Sequence, residues 1–173
     1  MVMNKYSYGA SWGFMIKAIT LITLICCCVP IIVVLTSRSV EAMWLRSILV
    51  GGPILLVAVC AMETVCRYEL RDRTLIVHRL LRETVIDLSG LISVRHDPEA
   101  MKGSIRVFGI GGLFSFTGLY WNRTMRWYRA YVMDPKQSVV LRLERRQFIV
   151  SPDHPEKFVA IVKATFCFGI ADC

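Results

Sequence analysis

The sequence predicts a membrane-anchored α+β protein, in which a two-helix transmembrane hairpin precedes a β-barrel of about seven strands capped by a C-terminal helix. The chain of 173 residues is 55% hydrophobic yet carries a formal net charge of +8, and the two properties are separated along it. Residues 1–66 contain six charged residues, whereas residues 67–173 contain 28. Apolar residues form long runs in the first part and follow strand-like spacing in the second. We therefore expect a tail and membrane hairpin in residues 1–66, and a cytoplasmic domain in residues 67–173.

The first predicted span covers about residues 16–36. Ala18 to Leu35 is a run of 18 uncharged residues, which at about 1.5 Å per residue reaches about 27 Å, close to the hydrocarbon thickness of a bilayer. The alternatives are a cleaved signal peptide or buried helices of a soluble protein. The run lacks a small-residue cleavage site, and its length favours a membrane span. Aromatic residues precede it and are expected at the headgroup level: Tyr6, Tyr8, Trp12 and Phe14.

The second predicted span covers about residues 44–64. Its uncharged core is the 16-residue run Ser47 to Met62, and Trp44 lies just before it. Pro30 and Pro53 are expected to bend the two helices, which membrane helices tolerate when neighbouring groups satisfy the backbone. Neither run contains polar residues for an ion path, so an anchor is favoured over a transporter.

Basic residues predict the orientation of the hairpin. The connecting loop contains Arg38 and Arg46, whereas seven basic residues flank the outer ends: Lys5, Lys17, Arg67, Arg71, Arg73, Arg79 and Arg82. Cytoplasmic segments carry the excess of Lys and Arg, so both termini are expected in the cytoplasm of a multi-pass protein in the inner or plasma membrane. The seven cysteines, which include Cys167 and Cys173, lack zinc-ligand spacing and are expected to be reduced.

Short strand-like segments separated by turn residues follow the hairpin. They cover residues 68–70, 74–78, 82–88, 91–96, 104–108, 126–133, 138–143 and 147–150. A helix then begins near Asp153, where Glu156 has capping-box spacing and Pro155 lies in the first turn. Its apolar residues form one stripe, suited to closing the open end of a small barrel: Phe158, Ile161, Val162, Thr165 and Phe166.

Three segments resemble those of bacterial membrane proteins that carry a pleckstrin-homology-like (PH-like) domain. They are Tyr-x-Leu-x-Asp-x-x-Leu-x-Val at residues 68–77, the glycine-rich residues 106–114 with Gly118-Leu119-Tyr120, and residues 149–158. The similarity covers about residues 67–165. It implies a seven-stranded barrel capped by the C-terminal helix, with no catalytic residues. The basic motif that binds inositol lipids in eukaryotic relatives has no counterpart, so inositol-lipid binding is not implied.

Motifs for catalysis or metal binding are missing from the sequence. Gly109-Ile110-Gly111-Gly112 lacks the Gly-Lys-Ser/Thr ending of a phosphate-binding loop, and a bend or bulge between strands is expected there. His78, His96 and His154 are far apart in sequence and have no metal-ligand spacing. We therefore expect no cofactor and no metal, and an enzyme is the less favoured class.

The candidate binding site is a basic aromatic patch within residues 119–146. A structural interpretation also explains this pattern, because alternate residues of a strand face opposite sides. The aromatic side chains would then pack inside the barrel and the arginines would face solvent. As a functional site it would bind anionic lipid or a protein partner, with Trp121, Arg123, Arg126, Trp127, Arg129, Arg145 and Arg146 as the candidate residues. Nucleic acid fits the same chemistry, but attachment to a bilayer disfavours it.

The predicted function is therefore that of a non-enzymatic integral membrane protein. Its domain would bind a protein partner or copies of itself beside the lipid bilayer, and the alternative is binding of anionic lipid by the basic aromatic patch.

Overall fold

The computed structural model contains two long helices, two open β-sheets and a C-terminal helix. It describes residues 5–36, 43–71 and 73–166. Sequence predictions that involve Arg38, Asp72, Cys167 and Cys173 lie outside these residues. The five cysteines within them are free.

The two N-terminal helices are α1 (Phe14–Thr36) and α2 (Met43–Met62), close to the predicted spans. The most apolar 18-residue windows of the two helices have mean hydropathies of 2.9 and 2.1, and the protein buries only 11% and 6% of these windows. Both are long and apolar enough to cross a membrane. The Arg46 side chain donates a 3.2 Å hydrogen bond to the carbonyl of Val34, which links the two helices near the connecting loop.

The first sheet has four antiparallel strands in the order β1-β2-β3-β4. Leu70 lies opposite Leu75 across the β2–β3 hairpin, so the predicted strand segments 68–70 and 74–78 pair with each other. The strands are β1 (Lys5–Gly9), β2 (Val65–Arg71), β3 (Thr74–Arg79) and β4 (Glu83–Asp87).

The second sheet has six strands in the order β5-β9-β10-β8-β7-β6. All its pairs are antiparallel except β8 and β10, which run parallel. A single 3-10 turn, Pro135–Gln137, precedes β9. The strands are β5 (Leu91–His96), β6 (Ile105–Gly111), β7 (Phe116–Asn122), β8 (Arg126–Val132), β9 (Val139–Leu143) and β10 (Gln147–Val150).

The prediction of a closed barrel is wrong. The described strands form two open sheets, and nine strands follow α2 where about seven were expected. No ladder joins β4 to β5, and β1 occupies the outer edge of β2. Side chains from helices fill the space between the sheets instead, namely Ile16 of α1 with Phe158 and Val162 of α3 (Pro155–Phe166). The C-terminal helix is confirmed, and it packs beside β5.

Strands β1 and β7 were not predicted. The sequence predicts Tyr8 at the headgroup level, but Tyr8 is buried in the core. Its ring packs edge-on against that of Phe158, with the ring centres 5.2 Å apart. Tyr6 packs against the same core. The Asp153 carboxylate accepts a 2.7 Å hydrogen bond from the Ser11 amide, which ties the N-terminal segment to the start of α3.

The first turns of α1 belong to the core of the sheet domain. Ile16 is completely buried. The amide of Gly13 donates to the carbonyl of Met133 at 3.1 Å, and the Thr20 hydroxyl accepts a 3.1 Å hydrogen bond from the amide of Phe114. The domain is therefore fixed to the base of α1 by packing and hydrogen bonds.

Replacement of Ile16 by Ala should lower the free energy of unfolding by about 3 kcal/mol, because it leaves a cavity in the core. Ile22→Ala is the matched control, since Ile22 lies on the same helix and is 61% exposed; it should change the stability by less than about 0.5 kcal/mol. Urea titration of the full chain in detergent measures both. Equal effects of the two variants would contradict the docking of α1.

Candidate functional site

A cavity of about 750 Å³ opens between the end of α2 and the two sheets. Val59 and Glu63 line it from α2 and the residue that follows this helix. Arg79 and Arg82 line it from the β3–β4 hairpin, and Arg129 from β8. The cavity exists because the sheets are not joined along this side.

A cluster of one acid and two bases forms one wall of the cavity. The Glu63 carboxylate accepts hydrogen bonds from the guanidinium groups of Arg79 and Arg82, one on each oxygen. Arg79 also donates to the Thr84 hydroxyl at 2.5 Å and lies 5.6 Å from the centre of the Tyr131 ring, within the range of a cation–π contact. These contacts hold Arg79 in one orientation.

Burial differs among the members of this cluster. The side chain of Arg79 is only 9% exposed and that of Glu63 19%, whereas that of Arg82 is 64% exposed. Burial on its own raises the pKa of Glu63, but the hydrogen bonds and charges of Arg82 and Arg79 outweigh it and lower this pKa below its ordinary value. Glu63 is therefore ionised at neutral pH and holds both arginines in the wall.

Positive charge is in excess at the cavity. Arg129 is exposed, lies opposite Leu119 of β7, and forms no ion pair with a carboxylate among the described residues. Three arginines thus face one carboxylate. The buried Nε of Arg79 has no hydrogen-bond partner in the described part of the chain, and such buried donors are uncommon in folded proteins.

Two glycines shape the opposite wall. Gly109 and Gly118 are paired across β6 and β7 with φ values of +115° and +138°. A Cβ at Gly118 would lie 2.1 Å from the carbonyl oxygen of Phe108. Only glycine permits this approach, and the expected bulge occurs next to it, between Arg106 and Phe108. The glycine-rich segment is part of a hairpin.

The predicted basic aromatic patch is divided between surfaces. Trp127, Arg129 and Arg146 line one small cleft of about 70 Å³, and Trp121 lies opposite Trp127 in the ladder. Arg126 lines a different cleft, of about 370 Å³, with Arg95 and Arg142. Arg123 and Arg145 are exposed in the turns that follow β7 and β9.

The tyrosines of this segment pack inside the protein. Tyr120 and Tyr128 are buried and stacked with ring centres 5.9 Å apart, and Tyr131 is buried between the sheets. Burial raises the pKa of Tyr120 to about 12. Trp127, in contrast, is 55% exposed. The packing interpretation therefore accounts for the tyrosines and leaves Trp127 available at the surface.

Sequence analysis did not identify the cavity. In the sequence, Arg79 and Arg82 entered only as charges that orient the hairpin, and Glu63 is simply the first charged residue after the uncharged run Ser47 to Met62. One feature of the sequence could have indicated the cluster, namely an acidic residue directly after an apolar run in a chain with excess positive charge. A carboxylate that is partly buried at such a place needs a basic partner. Among the described residues no group of three or more His, Cys, Asp or Glu side chains could hold a metal ion.

Comparison with known proteins identifies one match. The model of the family described as bacterial PH domain matches residues 66–165, which is more than half of the chain. No curated protein and no solved structure matches the chain.

Replacement of Glu63 by Gln should lower the free energy of unfolding by about 1 kcal/mol, because it leaves two neighbouring arginines without their carboxylate. The matched control is Glu99→Gln, since Glu99 is exposed and pairs only with exposed Lys102 at 2.7 Å. The control should unfold like the wild type in a urea titration. A Glu63→Gln variant as stable as the control would show that the cluster does not support the cavity wall.

Proposed function

Because the chain belongs to the bacterial PH domain family, we propose that it is a non-enzymatic integral membrane protein whose domain is an interaction or assembly module held beside the bilayer. The two apolar helices support the membrane anchor. The excess of basic residues at their outer ends favours cytoplasmic termini.

The attachment of the domain supports a role at the membrane surface. Ile16 is buried in the domain, and only Glu63 and Thr64 separate α2 from β2. Both helices therefore join the domain without a flexible linker. A partner in the same membrane would meet the domain in one orientation, which reduces the entropy lost on association.

The observation that carries the proposed interaction is the exposed edge of β6. This strand is the terminal strand of the six-stranded sheet. Its apolar residues Ile105 and Val107 are 60% and 50% exposed. Edge strands with exposed apolar residues can add a strand from another chain.

Replacement of Val107 by Lys should prevent strand addition at β6. If the domain associates with copies of itself, the variant should lose this self-association, which light scattering of the full chain in mild detergent measures. If it binds another protein, that protein should no longer co-purify with the variant from native membranes. Val85→Lys is the matched control, because Val85 is 62% exposed on β4, the edge strand of the other sheet. A mass and a set of co-purified proteins that Val107→Lys leaves unchanged would refute the proposal.

Binding of anionic lipid by the basic aromatic patch is the second candidate function. It is favoured by the cleft in which exposed Trp127 lies with Arg129 and Arg146, since indole and arginine side chains suit the headgroup region.

The patch can be tested by combined replacement of Arg123, Arg145 and Arg146 by Ala. The full chain is extracted from vesicles with equal amounts of phosphatidylglycerol and phosphatidylcholine, and the ratio of retained lipids is measured. The variant should lose the enrichment in phosphatidylglycerol, because anionic lipid attracts each nearby arginine. The control replaces three exposed arginines of the β2–β3 region: Arg67, Arg71 and Arg73. An equal decrease in both variants would mean that total charge, not the patch, attracts lipid.

A further inference from the structure

We propose that the cavity beside α2 binds the phosphate of an anionic membrane phospholipid, with Arg79, Arg82 and Arg129 as its cationic ligands. The inference does not rest on partner binding at β6, and it concerns a different surface from the basic aromatic patch except for Arg129.

The cavity wall contains a cation that is held in place. The Arg79 side chain is more than nine-tenths buried, and its Nε has no partner among the described residues. Glu63 and Thr84 occupy its two terminal nitrogens, so the guanidinium cannot turn away from the cavity. Arg79 therefore contributes a fixed positive charge to the wall of the cavity.

The charge of the cavity selects an anion. Arg79, Arg82 and Arg129 contribute three positive charges, and Glu63, whose lowered pKa keeps it ionised, contributes one negative charge. Arginine presents a planar set of donors that matches phosphate oxygens. Arg82 and Arg129 are exposed enough to move onto a bound group, whereas Arg79 is fixed.

The position of the cavity selects a lipid over a soluble phosphate. Val59, which lines it, lies about one turn before the end of the apolar helix α2, and Glu63 follows that helix directly. Phe108, on the opposite wall, is 79% exposed, and Ile110 and Leu119 lie near it. A phospholipid with its phosphate at the arginines would place its acyl chains along the apolar surface of α2.

The size of the cavity suits such a headgroup. Ligand sites commonly enclose about 300–1,000 Å³, and this cavity has about 750 Å³. Gly109 and Gly118 line it without side chains, so space remains between the arginines and the β6–β7 hairpin. The site thus combines an apolar side toward α2 with a basic side toward the sheets.

The test uses the purified full chain in mild detergent, titrated with phosphatidylglycerol and followed by native mass spectrometry. The wild type should bind one phosphatidylglycerol per chain with saturation. Arg82→Gln combined with Arg129→Gln should weaken this binding about tenfold or more, since two of three cationic ligands are lost. The control, Arg71→Gln with Arg73→Gln, removes the same charge from exposed arginines that do not line the cavity and should bind like the wild type.

Each alternative has a distinct outcome. Equal weakening in the two double variants would refute the cavity as the site and favour general electrostatic attraction. If the wild type bound phosphatidylcholine as tightly as phosphatidylglycerol, the cavity would be an apolar groove that does not select an anion. If it bound inorganic phosphate as tightly, the cavity would be a site for a soluble anion. Either result would overturn the proposal. If the Arg82 and Arg129 double variant unfolds, Arg82→Gln alone decides, because the Arg82 side chain is 64% exposed and does not belong to the basic aromatic patch. Unchanged binding by that variant would refute the site.

Discussion

Burial of Ile16 is the contact on which the arrangement of this protein depends. A residue of the first turn of an apolar helix lies at the centre of the sheet domain, together with Tyr8 and Phe158. Because α1 fills part of the space between the sheets, the domain and its anchor cannot be separated without opening the core. The hydrogen bonds of Gly13 and Thr20 fix the same junction. The position of the domain relative to the helices is therefore a property of its packing.

The open arrangement of the sheets creates the cavity. Where helices α1 and α3 fill the gap, the sheets enclose an apolar core. Where no helix enters, the gap remains as the cavity lined by Glu63, Arg79 and Arg129. A closed barrel would have paired the strands at this place and removed the cavity. Because the sheets do not close into a barrel, the polar groups that line the cavity lie near the end of α2. A lipid headgroup beside this helix could contact them.

Local patterns predicted most elements, and long-range contacts account for what was missed. Alternation and turn residues place β2–β5 and β8–β10 close to their observed bounds. Alternation also puts Trp127 and Arg129 on one face of β8 and Arg126 on the other. Arg146 lies beside Trp127 and Arg129 only because β10 runs parallel to β8, a pairing that the local pattern does not reveal. Strand β1 has five residues, and its partner follows both helices. The cluster around Glu63 likewise combines separate elements, so spacing in the sequence does not reveal it.

The pairing of β1 with β2 constrains how the chain can cross a membrane. These strands lie on either side of α1 and α2 in sequence, yet Tyr8 is directly opposite Tyr68 in the ladder. Two strands can form this ladder only if they are on the same side of the bilayer. The segment between them must therefore cross an even number of times, so α1 and α2 both span or neither does. The ladder also cannot form until the ribosome has synthesised both helices and β2, so completion of this sheet must follow synthesis of the hairpin.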